Sequence, residues 1–473
     1  MLLALAVRLW IVATQTYIVH PDETFQYLEA AHRLAFGSGI ITWEYLDGIR
    51  SWLLPGAIAG IMRAVDAIDP NPQAYILVLR LLCAGASLAV PYAGYRLGGG
   101  VAAGLLSALS PQALYFAPVI MTEPLATYAI LLAIVLGHDA AGRPRRLLLA
   151  GVLFGLACSL RYQYAPVIAA VALWQHVRRW RECAWVAGGG VAVVAVALGG
   201  LDAATWGAPF QSVWLNFLRN GPQGISAAMG QQSWSYYLEY FAVGWGVAAP
   251  VFLVALFFGA RRAPTLAILI ALTFGLHSLV PHKELRFIFL GMAAIPILIG
   301  LGLMSIMDRI PSRWSGLPYR VGVALCAVCF IAWGTAARTM PADEWHRDRS
   351  LLLATAAARD IDAACGLAIR DAAVVRSCGY SYWHRDLPIY YETWDAASTI
   401  QGSSLRLRIE SVLDGRKVPQ YAGANLSAHA DKFNVAIGAL TSGLPSFSVR
   451  VCFGEGRVDD RTFCVFTRPG GCD

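Results

Sequence analysis

MLLALAVRLWIVATQTYIVHPDE, residues 1–23, begins as a largely apolar run and ends in His20, Pro21, Asp22 and Glu23. Whether the run is a cleaved leader or a membrane helix decides the fold. A secretory leader starts with basic residues and stops at a small-x-small cleavage site. This run has no basic start, and no such site precedes His20. It reads as a membrane anchor, and its shortness suggests a true start slightly upstream. The acids that follow then stand where a first helix leaves the membrane. Carboxylates are costly near lipid and call for a partner, water or a task.

The rest of the chain repeats the pattern. Of 473 residues, 57% are hydrophobic and 14% charged, and the mean hydropathy is +0.54. A soluble domain carries about 25% charged residues. Apolar runs of near-spanning length give about eleven expected spans at ~20 residues each. Their cores are 2–19, 74–96, 101–117, 121–137, 147–160, 163–177, 184–201, 238–259, 263–280, 287–306 and 319–337. With the N-terminus in the cytoplasm, the even gaps hold Arg96; Arg143, Arg145 and Arg146; Arg178, Arg179 and Arg181; Arg261 and Arg262; Arg309 and Arg313. Short cytoplasmic loops are enriched in Lys and Arg, so the alternation supports the count. The net charge of +7 follows from these loops, which excludes a nucleic-acid reading. The expectation is a polytopic α-helical membrane protein, with residues 1–339 as the transmembrane part. Residues 340–473 turn polar and form a mixed α/β domain outside the membrane. A helix is expected near 349–364, with strands in AAVVRSCGY, LPIYYETW, FSVRVCF and TFCVFTR.

Cysteine usage agrees. Cys365, Cys378, Cys452, Cys464 and Cys472 lie in the external tail, where disulfides persist. Cys452 and Cys464 flank a hairpin-like insert and are the first expected pair. Cys365 with Cys378 is the second, which leaves Cys472 free or alternatively paired. Cys326 and Cys329 form a CxxC inside an apolar run, where small buried hydrophobes are the ordinary reading.

Four charged clusters fall on the outer side. After His20, Asp22 and Glu23 comes a helical pattern of Phe25, Leu28, Ala31, His32 and Ala35. Asp22 suits an N-cap and Glu23 a first-turn acid; either also suits a general base. TWEYLDGIRSWLLPG, 42–56, brings Trp43, Glu44, Asp47 and Arg50 together. An interfacial helix explains Trp43 and Trp52, but Glu44 and Arg50 less well. In VIMTEPLATY, Glu123 starts a span, as a solvated helix acid or as part of a site. PHKELRFIFL, 281–290, places His282, Lys283 and Arg286 at the mouth of a span. Helical i, i+4 spacing puts His282 and Arg286 on one face. Cations on this side run against the charge bias, so an anion such as a lipid phosphate suits them. A salt bridge to Glu284 or snorkelling is the plainer alternative. Arg80 and Arg161 would add to the same positive region. No DxD or His-rich set marks a metal site, and no cofactor is expected.

The stretch HPDETFQYLEAAHRLAFGSGIITWEYLDGIRSWLLPG resembles the first luminal loop of the Alg9-like mannosyltransferases, glycosyltransferase family 22. The likeness runs through His20-Pro21-Asp22-Glu23, Gln26, Glu29, His32, Gly39, Thr42-Trp43-Glu44, Arg50-Ser51 and Pro55. PHKELRFIF resembles the family's HKE-x-RF motif, and MTEPLATY its acidic segment before the fourth span. SCGYSYWHRDLPIYY is similar to the external segment of the GPI third-mannose transferases. The resemblance implies a GT-C fold and inverting transfer of mannose from a polyprenyl-phosphate donor to a glycan or glycolipid hydroxyl. It implies Asp22 as general base, with Glu23 shaping its surroundings. His282, Lys283 and Arg286 would hold the donor phosphate. His20, Gln26, Trp43, Glu44, Arg50 and Glu123 would contact substrate. The compact, Ala/Gly/Arg-rich chain suggests a bacterial member in the inner membrane, acting on the periplasmic side as a monomer. A transporter or flippase for a lipid-linked sugar is the competing class; it would place ionisable groups near mid-membrane.

Overall fold

The computed structural model describes residues 1–14, 17–40, 42–138, 140, 142–309, 345, 347–372, 377–391, 421–422, 426, 430–439, 446–454 and 462–472. Each expected span core overlaps helix, the first only over Leu2–Thr14 with 17–19 non-helical, except 319–337, which with Cys326, Cys329 and Arg313 lies outside the described residues. Among the described residues, Pro72–Leu97, Trp180–Trp206 and Leu285–Met307 are long and apolar enough to cross a membrane singly. Tyr236–Trp245 and Ala249–Arg262 make a fourth if they form one broken span. Leu2–Thr14, Gly100–Leu109, Thr122–His138 and Pro264–Ser278 are apolar but shorter.

The chain divides into two compact units: residues 1–14 with 80–342, and 15–79 with 343–473. The tail therefore groups with the first loop and not by itself, a division different from the linear boundary at 340.

In the first unit, helices approach through small residues. A Cβ on Gly302 would lie 1.8 Å from the Ala255 carbonyl oxygen, and one on Gly259 2.0 Å from that of Leu298. The Ala249–Arg262 and Phe289–Met307 helices thus touch backbone to backbone. Gly151 and Gly189 do the same between Pro144–Leu160 and Trp180–Val194, with a Cβ at 2.1 and 2.5 Å from Val186 and Leu148 carbonyls. In lipid, where association draws little on hydrophobic burial, such close approach is what joins helices. Phe252, Ile295, Ile299 and Leu303 fill the remaining space.

The second unit is built on a six-stranded sheet. The strands are β1 (Leu367–Ile369), β2 (Ile389–Tyr391), β3 (Tyr421–Ala422), β4 (Val435–Ala439), β5 (Ser448–Phe453) and β6 (Phe463–Thr467). Their order is β3-β2-β1-β4-β6-β5. The first four run parallel, and β6 is antiparallel to β4 and β5. Strands β1 and β2 are buried throughout, and β4 up to its last residue. They therefore read as continuous small apolar runs without alternation. VAIGA at 435–439 accordingly carries no alternating strand signal. The expected strand in AAVVRSCGY runs through 373–376, which lie outside the described residues; its last residues, Gly379 and Tyr380, begin the helix Gly379–Trp383. Helix Arg349–Arg359 covers the sheet. The core also takes Ile18, Phe25 and Ile40 from the first loop, against Leu351, Trp383, Ile437 and Val465.

Two disulfides close this unit. Cys452–Cys464 joins β5 to β6 as expected. The expected Cys365–Cys378 pair is not formed: Cys365 pairs with Cys472 across 107 positions, and Cys378 is a buried free thiol. Chain closure puts Cys365 beside the C-terminal end, because Arg468 N–H bonds the Asn434 carbonyl and the Asn434 side chain reaches both Cys365 N–H and the Gly470 carbonyl. A loop of ~100 residues is worth about 4–5 kcal/mol of denatured-state entropy in the chain model. Cys472→Ser is expected to lower the tail's unfolding midpoint far more than reducing conditions lower it further. A midpoint within a degree of wild type would contradict this.

Candidate functional site

The outer-loop cluster is carried by one helical stretch, residues 21–36, whose middle, Glu23–Leu28, has π-helical bonding. Such segments are uncommon and concentrate at functional sites. Asp22 is not the capping residue the pattern suggested. Its backbone is already helical (φ −62°, ψ −28°), and its side chain makes no cap hydrogen bond. Its carboxylate lies 3.4 Å from His20 Nδ1, while the Asp22 N–H donates to that same nitrogen at 3.2 Å. The same ring nitrogen thus faces both the Asp22 carboxylate and the Asp22 N–H.

The neighbouring acids bond to backbone, arginine and glutamine. Glu23 is buried and accepts from Val19 N–H at 3.3 Å. Glu29, fully buried, accepts from Ile40 N–H at 2.8 Å and Ser381 N–H at 2.6 Å; burial holds its carboxyl above the usual range. Glu44 takes Arg50 at 2.6 and 3.1 Å and Gln26 Nε2 at 3.2 Å. Burial by itself lowers the Arg50 guanidinium, but Glu44, then Tyr27 and Asp22, raise it above its ordinary value. Tyr45 donates to the Gln26 carbonyl at 2.7 Å. Trp43 opens a one-turn helix, Trp43–Leu46, too short for the interfacial helix considered above. The Asp22 side chain keeps 19% of its surface exposed, against 9% for Glu44.

The structure also places residues that the sequence pattern did not single out together. His32 Nε2 meets His384 Nδ1 at 2.9 Å, and His384 Nε2 meets Asp66 at 3.1 Å. Only the loop's likeness to a family had drawn attention to His32; nothing in local spacing links it to position 384. Gly379 is needed here: φ is +60°, and a Cβ would fall 2.4 Å from the Glu29 carboxyl carbon.

The cationic cluster belongs to the first unit. The expected helix at 281–286 is not formed. Glu284 is extended (φ −134°, ψ 150°), and the turn at Leu285–Ile288 follows it. His282 and Arg286 are not neighbours on one helix face; both contact Glu284, His282 Nε2 at 2.7 Å. The salt-bridge alternative is the one observed. Pairing with Glu284 raises the His282 imidazole. A His raised on folding stabilises fully below its unfolded value and loses that contribution as pH rises through the folded one. The wild type is therefore expected to lose melting temperature above about pH 6.5, relative to His282→Gln; parallel curves would contradict this.

Lys283 is buried, donating to the carbonyls of Val280 at 2.6 Å and Gln232 at 3.2 Å. Glu123, with no exposed surface, lies 3.0 Å from Arg161 and 3.6 Å from Arg286. It is not the solvated helix acid considered above. Both guanidinium carbons stand 5.1 Å from the Phe287 ring centroid, within cation–π range. Arg161, Lys283 and Arg286 against Glu123 and Glu284 leave one positive charge in excess with His282 neutral. Such a site attracts an anion. Among the described residues no group of three His, Cys, Asp or Glu is arranged to hold a metal.

A sequence profile described as "Alg9-like mannosyltransferase family" matches residues 1–340. The chain is similar to GPI mannosyltransferase 3 of Drosophila melanogaster, 30% identical over 66% of this chain and 56% of that protein. It is also similar to GPI mannosyltransferase 3 of Yarrowia lipolytica, 29% identical over 60% and 57%. The chain thus spans a little over half the length of these curated relatives. Among solved structures it is similar to ArnT from Cupriavidus metallidurans bound to undecaprenyl phosphate. That match has a TM-score of 0.58 at 15% identity and covers 100% of this chain and 98% of that one. It is also similar to the archaeal oligosaccharyltransferase AglB from Archaeoglobus fulgidus, with a TM-score of 0.51 at 11% identity, over 93% and 69%. The fold is that of the GT-C membrane glycosyltransferases, and the protein is a multi-pass membrane protein.

Proposed function

The chain belongs to the Alg9-like mannosyltransferase family, and on that premise we propose that it moves mannose from a polyprenyl-phosphate-mannose donor to a hydroxyl of a glycan or glycolipid. Transfer inverts the anomeric carbon to give an α-mannoside. Asp22 takes the acceptor's hydroxyl proton as that oxygen attacks the sugar's C1. The bond from C1 to the phosphate oxygen breaks, and the phosphate leaves with the electron pair. Lys283 and Arg286, with His282, bind that phosphate; burial strengthens their grip because little water competes. Glu23 supports the loop that carries Asp22. His20, Gln26, Trp43, Glu44 and Arg50, and in the other unit Glu123, contact or frame the substrates.

The observation that supports this reading is the exposure of Asp22: its side chain keeps 19% of its surface exposed and makes no cap hydrogen bond to its helix. The setting proposed is a bacterial inner membrane, with Asp22 and the tail on the periplasmic side and the chain acting as a monomer. Purified protein supplied with a panel of polyprenyl-phosphate sugars is expected to transfer mannose and release the polyprenyl phosphate. Transfer of a different hexose alone would overturn the donor, and ion-coupled uptake into vesicles without transfer would overturn the reaction class.

A further inference from the structure

We propose that His384, which the tail contributes, is a positioning residue for Asp22, acting through His32 and Asp66; this rests on the reading of Asp22 as the base. His32 and Asp22 lie on the same helical stretch, residues 21–36, ten residues or roughly 15 Å apart along its axis. A fixed point at His32 therefore sets the rotation and height of the end that bears Asp22.

The proton inventory of the contact is determined by its two ends. His32 Nδ1 lies 2.5 Å from the Ser38 carbonyl, which only accepts, so Nδ1 carries the proton. Burial, foremost, keeps His32 neutral by pushing it down to about 4, so Nε2 offers a lone pair. His384 Nδ1 must then donate to it. At the far side His384 Nε2 lies 3.1 Å from the Asp66 carboxylate.

The surroundings make this contact a definite point rather than a passing one. His384 sits in the left-handed region (φ 48°, ψ 40°) as it ends helix Gly379–Trp383, a conformation uncommon outside glycine in which histidine is among the enriched residues. Phe36 lies 4.8 Å from both imidazole rings, and Tyr75 lies 5.6 Å from that of His384. The charged and titratable groups facing the pair are Asp66, Tyr75, Glu29 on the same helix, and Arg359 beyond Tyr75. Glu29 adds a second tie, taking the Ser381 N–H. Two attachments, at 29 and 32, fix the helix on the tail segment 379–384. The tail is on this view part of what holds the base in place.

The test combines kinetics with amide exchange of residues 21–36. His384→Ala is expected to lower kcat by about 10- to 100-fold with donor KM unchanged, because misplacing a catalytic group by an ångström has effects of this size. Exchange along 21–36 should quicken while β4 and β6 stay protected. His32→Gln keeps one donor and one acceptor and should hold kcat within a few-fold, where His32→Ala loses it. Unchanged exchange in His384→Ala overturns the tie, and quickened exchange with unchanged kcat overturns the positioning role. Turnover retained by Asp22→Asn would instead sink the assignment of the base, leaving the exchange result to judge the tie by itself.

Discussion

If Asp22 is the proposed base, Asp22→Asn is expected to lower turnover by about 10²- to 10⁴-fold, the range that loss of a general base removes, and to leave the protein folded. The second half of this expectation is as informative as the first. If Asp22 were an N-cap, its loss would cost about 1 kcal/mol of helix stability. The helical backbone at Asp22 and the missing cap bond remove that term. Asn keeps the size of the side chain and the N–H bond to His20 Nδ1. Melting in detergent should therefore stay within a degree or two of wild type while transfer is lost. A variant that turns over normally would remove the base, and one that fails to fold would return Asp22 to a structural role.

How far the sequence foretold this site differs from residue to residue. The apolar face Phe25, Leu28, Ala31, His32 and Ala35 was readable because burial follows helical period, and all five are buried. The π-bonding of Glu23–Leu28 was not, since it shifts bonds without changing composition. The wrong helix at 281–286 has a local cause: Glu284 is extended because its carboxylate is shared between residues on either side of it. Spacing rules assume a helix before they can use one. The tail's errors have a topological cause. Three-residue strands carry too little alternation to find, and the Cys365–Cys472 bond and the His32–His384 contact depend on chain closure over 107 and 352 positions. Local pattern carries no such information. The first loop's residence with the tail was hidden for the same reason.

Glu123→Leu is expected to destabilise the membrane unit by about 3–5 kcal/mol, the usual effect of removing one partner from a buried ion pair. Its carboxylate has no exposed surface and sits 3.0 Å from Arg161 and 3.6 Å from Arg286. Without it the two guanidiniums share the Phe287 ring with no charge between them. Arg286 retains Glu284, so most of the penalty falls on Arg161, itself 7% exposed. That asymmetry gives a sharper expectation. Arg161→Leu in the same chain removes the stranded cation, and the double variant should be more stable than Glu123→Leu alone, because two buried charges and their desolvation are removed together. If instead the two losses add, the pair is not coupled and Glu123 is held by something other than Arg161. Donor binding separates stability from function. At a temperature where all variants are folded, a double variant that regains stability yet binds the proposed polyprenyl-phosphate donor many-fold more weakly would show that Arg161 and Glu123 serve the anion site. Recovery of donor KM along with stability would make them a structural pair, and would leave the phosphate to His282, Lys283 and Arg286.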